Sequence, residues 1–575
     1  MANKMAALPD ISTRPVPDGA AVHANPLLDR LYRARGVRSE QELDARLSLL
    51  LPWQPMKGME QAVDLLLAAL RQGQRVLVVG DYDVDGATST ALMVQALSAL
   101  GVQVSYLLPN RFEYGYGLSP EIVALALEQK PDLIITVDNG IASMDGVAAA
   151  RAAGVAVLVT DHHLPAAELP DANAIVNPNQ PGCDFASKAA CGCTVAFYLL
   201  IALRARLRAM NWFAEQGVEE LNLGQWLDLV ALATVADVVP LDANNRRLVQ
   251  QGLNRIRAGQ GRPGIQALFE VAGRDWQQAR SEDFGFVVGP RLNAAGRLDD
   301  MTVGVRCLLA ENPGEARELA ARLDELNRER RSIERSMVVD AERYLARLET
   351  SHLRKGHVLY EPDWHEGVIG ILASRVKEKV HRPVIALADS GEEHVKGSAR
   401  SIPGFHLRDG LDWIAKQAPD LLIKFGGHAM AAGLTLERQR IDELQHWFER
   451  AVDQLCEPEA LIPCLMTDGH LLSDEINLEN ARLLETAGPW GQAFPAPRFF
   501  GQWRLEEQRI VGERHLKLKL IDDLGQLIDA IAFNVDLDQW PTSHPRLKGV
   551  YQLSCNRFRG KETVQLMLDA IEPLC

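Results

Sequence analysis

Val76-Leu77-Val78-Val79-Gly80-Asp81-Tyr82-Asp83-Val84-Asp85-Gly86 is the stretch on which the fold turns. Four apolar residues closed by a glycine read as a strand buried on both faces, the kind that parallel sheets contain. Three carboxylates at alternate positions leave its C-terminal end. Gly86 then turns the chain into Ala87-Thr88-Ser89-Thr90, which reads as the start of a helix. Carboxylates are rarely buried without opposite charge. No Lys or Arg lies in this turn, so the natural partner is a hard divalent cation such as Mg²⁺ or Mn²⁺. The plain alternative is a solvated acidic loop that caps a helix.

Working outward, two further strand-like runs end in acidic residues. Leu133-Ile134-Ile135-Thr136-Val137 leads to Asp138-Asn139-Gly140, and Val155-Ala156-Val157-Leu158-Val159-Thr160 leads to Asp161-His162-His163. A parallel sheet gathers the C-terminal ends of its strands on one edge, where ligands bind. Asp81, Asp83, Asp85, Asp138, Asp161, His162 and His163 are therefore expected to converge. Each alone reads as a turn or surface residue; together they supply the donors of a two-metal hydrolase. A helical run from Trp226 to Ala236 delivers Asp237, with Pro240 expected to stop the helix. A carboxylate at a helix C-terminus opposes the helix dipole, which points to another duty for it.

The fold class read from these patterns is α/β. Residues 1–50 form an N-terminal lead-in, and residues 51–300 alternate strand and helix as a doubly wound parallel-sheet domain. Residues 301–350 are connecting helices, with the charged run 312–349 read as one long solvated connector. Residues 351–455 make a second, smaller α/β domain. Residues 460–575 show the period-two alternation of a C-terminal OB-like β-barrel, with Leu516, Leu518 and Leu520 on one face and His515, Lys517 and Lys519 on the other. With Phe558 nearby, that second face suits single-strand binding as well as it suits a plain solvated surface.

These motifs resemble the DHH family of phosphoesterases, whose name is the triplet Asp161-His162-His163. Gly80 to Gly86, Asp138-Asn139-Gly140 and Asp237 match its other metal motifs in order. Pro109-Asn110-Arg111, the run Gly289 to Arg297, the run Trp364 to Gly370 and the run Gly426 to Gly433 extend the likeness to its single-strand-specific exonucleases, over nearly the whole chain. One departure is Val79, where many members carry a His four residues before the motif Asp; Asp81 is the candidate to compensate.

The resemblance implies two ions, Mg²⁺ or Mn²⁺, with Asp83, Asp85, Asp138, His162 and Asp237 as primary ligands and Asp138 as the bridge. Asp81 and Asp161 either bind metal or orient the ligands. His163 is implied to meet the scissile phosphate. Lys396 to Ser401 is read as a turn that offers Ser398 and Arg400 to a 5′-phosphate, joined by Arg111 and Arg291. Asn293, Gly427 and His428 are the remaining substrate-binding candidates. The expected activity is hydrolysis of single-stranded DNA from the 5′ end to mononucleotides, in recombination and repair. A single-strand-binding protein and a RecQ-type helicase are the implied partners, and a monomer the implied state.

The formal net charge of −15 argues mildly against a protein that coats nucleic acid, but a nuclease needs only a local basic channel. Residues 1–24 lack an apolar signal core, and no 18-residue apolar span occurs, so a cytoplasmic protein with reduced thiols is expected. Cys183, Cys191 and Cys193 lack a zinc-like spacing and read as small buried residues. His365-Glu366-Gly367-Val368-Ile369 is no zinc-protease motif, because Ile369 stands where the second His belongs. Neither G-x-G-x-x-G nor a P-loop follows a strand, which removes a dinucleotide binder. The rivals are a small-substrate phosphoesterase, which would not need the barrel, and a DNA-binding scaffold, which would not need the metal ligands.

Overall fold

The structure is a computed structural model, and it describes residues 8–110, 114, 117–347, 354–537, 540–558 and 560–574. Arg111 lies outside them. The chain forms two compact units. The first is Arg14–Asn327 with Asp468–Asp569; the second is Arg328–Thr467, with the strand Asp10–Thr13 and Ala570–Leu574.

The first unit is built on five parallel strands: β1 (Arg75–Gly80), β2 (Gln103–Leu107), β3 (Leu133–Val137), β4 (Ala156–Thr160) and β5 (Ala174–Val176). Their order is β2-β1-β3-β4-β5, a doubly wound sheet whose chain order reverses between β1 and β3. The register aligns Gly80 with Val137 and Val137 with Thr160. The next residues, Asp81, Asp138 and Asp161, therefore leave the sheet side by side at the reversal point. Val79 packs in the core with Leu77, Ile134, Val157 and Val159, so this position is a packing residue.

Two helix boundaries differ from the sequence reading. The helix after β1 runs Val84–Ala99, not from beyond Gly86, because Asp83 caps it: its Oδ1 accepts from the Gly86 amide at 3.1 Å. The helix Leu227–Ala236 ends at Asp237 rather than at Pro240. Val238 has φ 60°, and a left-handed residue stops the helix before the proline can.

The helix Pro313–Arg347 has residues in both units. It is not a fully solvated connector: Ala316, Ala320, Leu323 and Leu326, then Met337 and Ala341, are buried along it at helical spacing. In the second unit, β6 (His357–Tyr360), β7 (Val384–Ser390), β8 (His394–Arg400), β9 (Lys424–Gly427) and β10 (Ala431–Glu437) form a sheet in the order β9-β10-β8-β7-β6. Its core joins Ile385, Leu387 and Val395 to Phe405, Leu411 and Phe448. Ser398 and Arg400 thus lie within a strand, not at a turn. They are two residues apart on β8 and so share a face.

The C-terminal strands β11 (Phe499–Val511), β12 (His515–Ile521), β13 (Leu527–Ala532), β14 (Arg546–Phe558) and β15 (Lys561–Leu574) close into a barrel in the order β11-β12-β13-β15-β14. Leu516, Leu518 and Leu520 fill it, while His515, Lys517 and Lys519 stay partly exposed. Among the described residues no helix is long and apolar enough to cross a membrane.

Candidate metal centre and substrate-binding groups

At the sheet edge the acidic residues are built in from different elements. Asp85, in the first turn of Val84–Ala99, is fully buried and accepts from the Gly192 amide at 2.6 Å and the Cys193 amide at 2.8 Å. Both amides open the helix Gly192–Ala209, where the dipole favours a negative charge. Gly192 cannot be larger: a Cβ there would stand 2.7 Å from Asp138 Cβ. Asp138 itself sits at φ 62° directly after β3.

His162 Nε2 lies 3.1 Å from Asp138 Oδ1, 3.4 Å from Asp237 Oδ2 and 3.7 Å from Asp85 Oδ2. Three sets of donor atoms each fall within 4.8 Å of one another: Asp81, Asp83 and Asp138; Asp138, His162 and His163; Asp85, His162 and Asp237. Asp138 belongs to two sets, as does His162.

Asp161 belongs to none of them. Its Oδ1 accepts from the His162 amide at 2.7 Å, the His163 amide at 3.1 Å and His163 Nδ1 at 2.7 Å, and its Oδ2 from the Ile141 amide at 2.9 Å. It therefore orients the two histidines. Asn177 and Asn179 donate to the carbonyls of His163 and His162 at 2.9 and 2.6 Å, and Asn139 ties the ends of β1 and β3 through Val79 and Val137. The sequence reading missed Asn177, Asn179 and Gly192, and held Asn139 only as part of a motif. The Asn of Asp138-Asn139-Gly140 was the one available signal.

The electrostatics fit a cationic ligand. Burial, then repulsion from Asp85 and Asp83, pushes Asp138 well above the usual carboxylate range, and the same causes act on Asp237. Asp85 is raised chiefly by burial. Burial lowers His162 and leaves its imidazole neutral, the form that ligates metal. Burial also pulls on His163, but the Asp161 hydrogen bond and charge outweigh it and raise it to about 9. His162 Nε2 and Asp237 Oδ2 are buried and make no hydrogen bond among the described residues. Crowded carboxylates and an imidazole lone pair facing one point fit divalent cations and would repel an anion.

The substrate-binding candidates fall into two groups. In the first unit, Arg291 is buried, donating to Asp324 Oδ1 at 2.9 Å and to the Val287 carbonyl at 2.7 Å. Asn293 Oδ1 accepts from the Val84 amide at 3.2 Å and so supports the helix that carries Asp85. In the second unit, Arg400 donates to Ser398 Oγ at 3.0 Å. Gly370 leaves room for both, since a Cβ there would come within 2.8 Å of each. Ala431, beside Arg400 in the register, receives the His428 amide at 2.8 Å in the hairpin after Gly427. Cys183, Cys191 and Cys193 are buried free thiols.

The sheet order and the Asp-His-His turn beside two acidic strand ends define a phosphoesterase of the DHH class. Residues 75–234 match the DHH family N-terminal domain, 354–454 the DHHA1 domain and 467–570 the RecJ OB domain. The single-stranded-DNA-specific exonuclease RecJ of Salmonella typhimurium is 54% identical over 96% of each chain, and that of Escherichia coli 53% over 96% of each. The crystal structure of RecJ from Thermus thermophilus with Mn²⁺ superposes with a TM-score of 0.79 at 32% identity, covering 96% of this chain and 76% of that one. Its Mg²⁺ complex gives 0.73 at 30% identity, over 96% and 75%. The chain belongs to the RecJ family of single-stranded-DNA-specific exonucleases.

Proposed function

We propose that the protein hydrolyses single-stranded DNA from the 5′ end, releasing 5′-mononucleotides with two divalent ions, Mg²⁺ or Mn²⁺. The observation that carries this reading is the sharing of Asp138 and His162 among three donor sets on one sheet edge. Asp83, Asp85, Asp138, His162 and Asp237 hold the ions, and Asp81 supplies the donor that Val79 does not. Two such ions supply Lewis acidity toward the scissile phosphate and the attacking water. Asp161 keeps both histidines in place. His163, with Nδ1 committed to Asp161, is left with Nε2 as the ring nitrogen that would meet the scissile phosphate.

In the second unit Ser398, Arg400, Gly427 and His428 form the 5′-phosphate pocket. Arg291 and Asn293 are supports on this reading, because their side chains hold Asp324 and the Val84 amide. Residues 51–300 are then the catalytic domain, 351–455 the substrate-binding domain and 460–575 the strand-binding barrel. A helicase exposes single strands and a single-strand-binding protein coats them. The reading therefore extends to a RecQ-type helicase and such a protein as partners of a cytoplasmic monomer in recombination and repair.

The test is an end-labelled degradation assay with Mn²⁺ or Mg²⁺ on single strands, the matching duplex and a trinucleotide. Immediate release of 5′ label as mononucleotide, with the duplex spared, is expected. Cleavage of the trinucleotide alone would move the function to small substrates, and tight binding without cleavage would make the protein a scaffold.

A further inference from the structure

A cleft of about 610 Å³ in the first unit is lined by Ala236 and Val238, the residues on either side of Asp237 in the chain. Two observations set it apart from ordinary surface. Val238 is a β-branched residue at φ 60° and is 61% exposed. Phe286 lines the same cleft and is 78% exposed, although Phe284, Val287 and Val288 around it are buried. Phe286 lies in a π-helical turn, Phe284–Val288. Such a turn inserts a residue into a helix and recurs at functional sites. Here it rotates one aromatic side chain out of an otherwise apolar, buried segment.

The turn is tied down at its C-terminal end. The Val287 carbonyl accepts from Arg291, and the helix that follows, Gly289–Leu298, carries Asn293, whose oxygen holds the Val84 amide of the metal-site helix. Trp490 lines the same cleft. It stacks on Phe494 at 5.3 Å between ring centres and donates Nε1 to the Leu484 carbonyl at 3.0 Å. Ser554 and Met567 of the barrel complete the wall. An exposed aromatic ring in a cleft lined by both chain neighbours of Asp237 and by residues of the barrel is the chemistry that holds an unpaired base.

We propose that Phe286 is a stacking platform for a base of the substrate strand beyond the terminal nucleotide, so that it sets strand specificity as well as grip. A base can lie flat on this ring only after its own stack has opened, which a single strand does at lower cost than a duplex. The proposal rests on the nuclease reading above.

The test is steady-state kinetics of the full chain with Mg²⁺ or Mn²⁺ on single strands from a dinucleotide upward. Phe286→Ala is expected to raise KM for long strands about tenfold while kcat holds. That penalty should shrink as the strand is shortened to a dinucleotide. Phe286→Tyr should restore the KM and Phe286→Leu should not. Scanning one abasic nucleotide along the strand should find a position that raises KM in the parent protein and no longer matters in Phe286→Ala. An unchanged KM, a fall confined to kcat, an equal penalty at every length, or full rescue by Leu would overturn the assignment. A parent protein inert on every strand would instead remove the nuclease reading.

Discussion

Asp138 holds a left-handed backbone, which Asp and Asn tolerate better than most residues, and it contributes a carboxylate to two donor sets. Asn and Ala substitutions separate those roles. Asp138→Asn keeps the turn and loses the charge; Asp138→Ala loses both. Both should abolish hydrolysis while strand affinity, measured by fluorescence anisotropy, largely persists; loss of binding with normal turnover would contradict the bridging role. Asp161→Ala should lower activity by about 10- to 100-fold, the usual effect of losing a group that orients a ligand. A loss as complete as that of Asp138→Ala would make it a ligand. At this scale the acidic positions were legible in the sequence, because a register of parallel strands turns three strand ends into neighbours. Arg291 and Asn293 were not. Their partners, Asp324 and Val84, lie 33 and 209 residues away in the chain, and no local pattern records a pairing at that range.

Elements show the same division. The barrel was readable because Leu516, Leu518 and Leu520 alternate with His515, Lys517 and Lys519 at the strand period. The helix start at Val84 was misplaced because a carboxylate that caps a helix and one that binds metal are the same residue in a sequence. Ser398 and Arg400 were placed in a turn, yet with Gly397 they lie in one strand. In β8 that glycine is buried against Leu387 and Leu434. If the lysine face of β12 follows the strand backbone, Lys517→Ala should lower the slope of log affinity against log salt by about 0.7. An unchanged slope would leave that face as plain solvated surface. In β6, His357 is buried with neither ring nitrogen hydrogen-bonded among the described residues, and burial lowers its pKa to about 4. The unfolded chain binds this proton near pH 6.5, so the second unit should lose stability as pH falls from about 6.5 to about 4, by up to roughly 3 kcal/mol, and level off below. Thermal unfolding across that range should show the slope, and His357→Leu should flatten it.

For the whole molecule, cation binding and stability are linked. Divalent ions that bind the folded centre and not the unfolded chain stabilise the first unit, by about 2.7 kcal/mol at a hundred times the Kd. Mg²⁺ or Mn²⁺ should therefore raise the melting temperature of the parent protein and leave Asp138→Ala where it was. An equal shift in both would place the ions elsewhere.

The level register of Gly80, Val137 and Thr160 has a further consequence. Asp81, Asp138 and Asp161 leave adjacent rungs of one hydrogen-bonded ladder, with no loop between the ladder and these three carboxylates to soften first. Local opening there requires breaking the interior of the sheet, the part of such a domain that opens last. Heat inactivation should then track the cooperative melting of the sheet, and amide protons of β1, β3 and β4 should exchange only as slowly as activity is lost. Inactivation well below the melting of the sheet would instead place the weak point in Asp237 or the Asp161-His162-His163 turn.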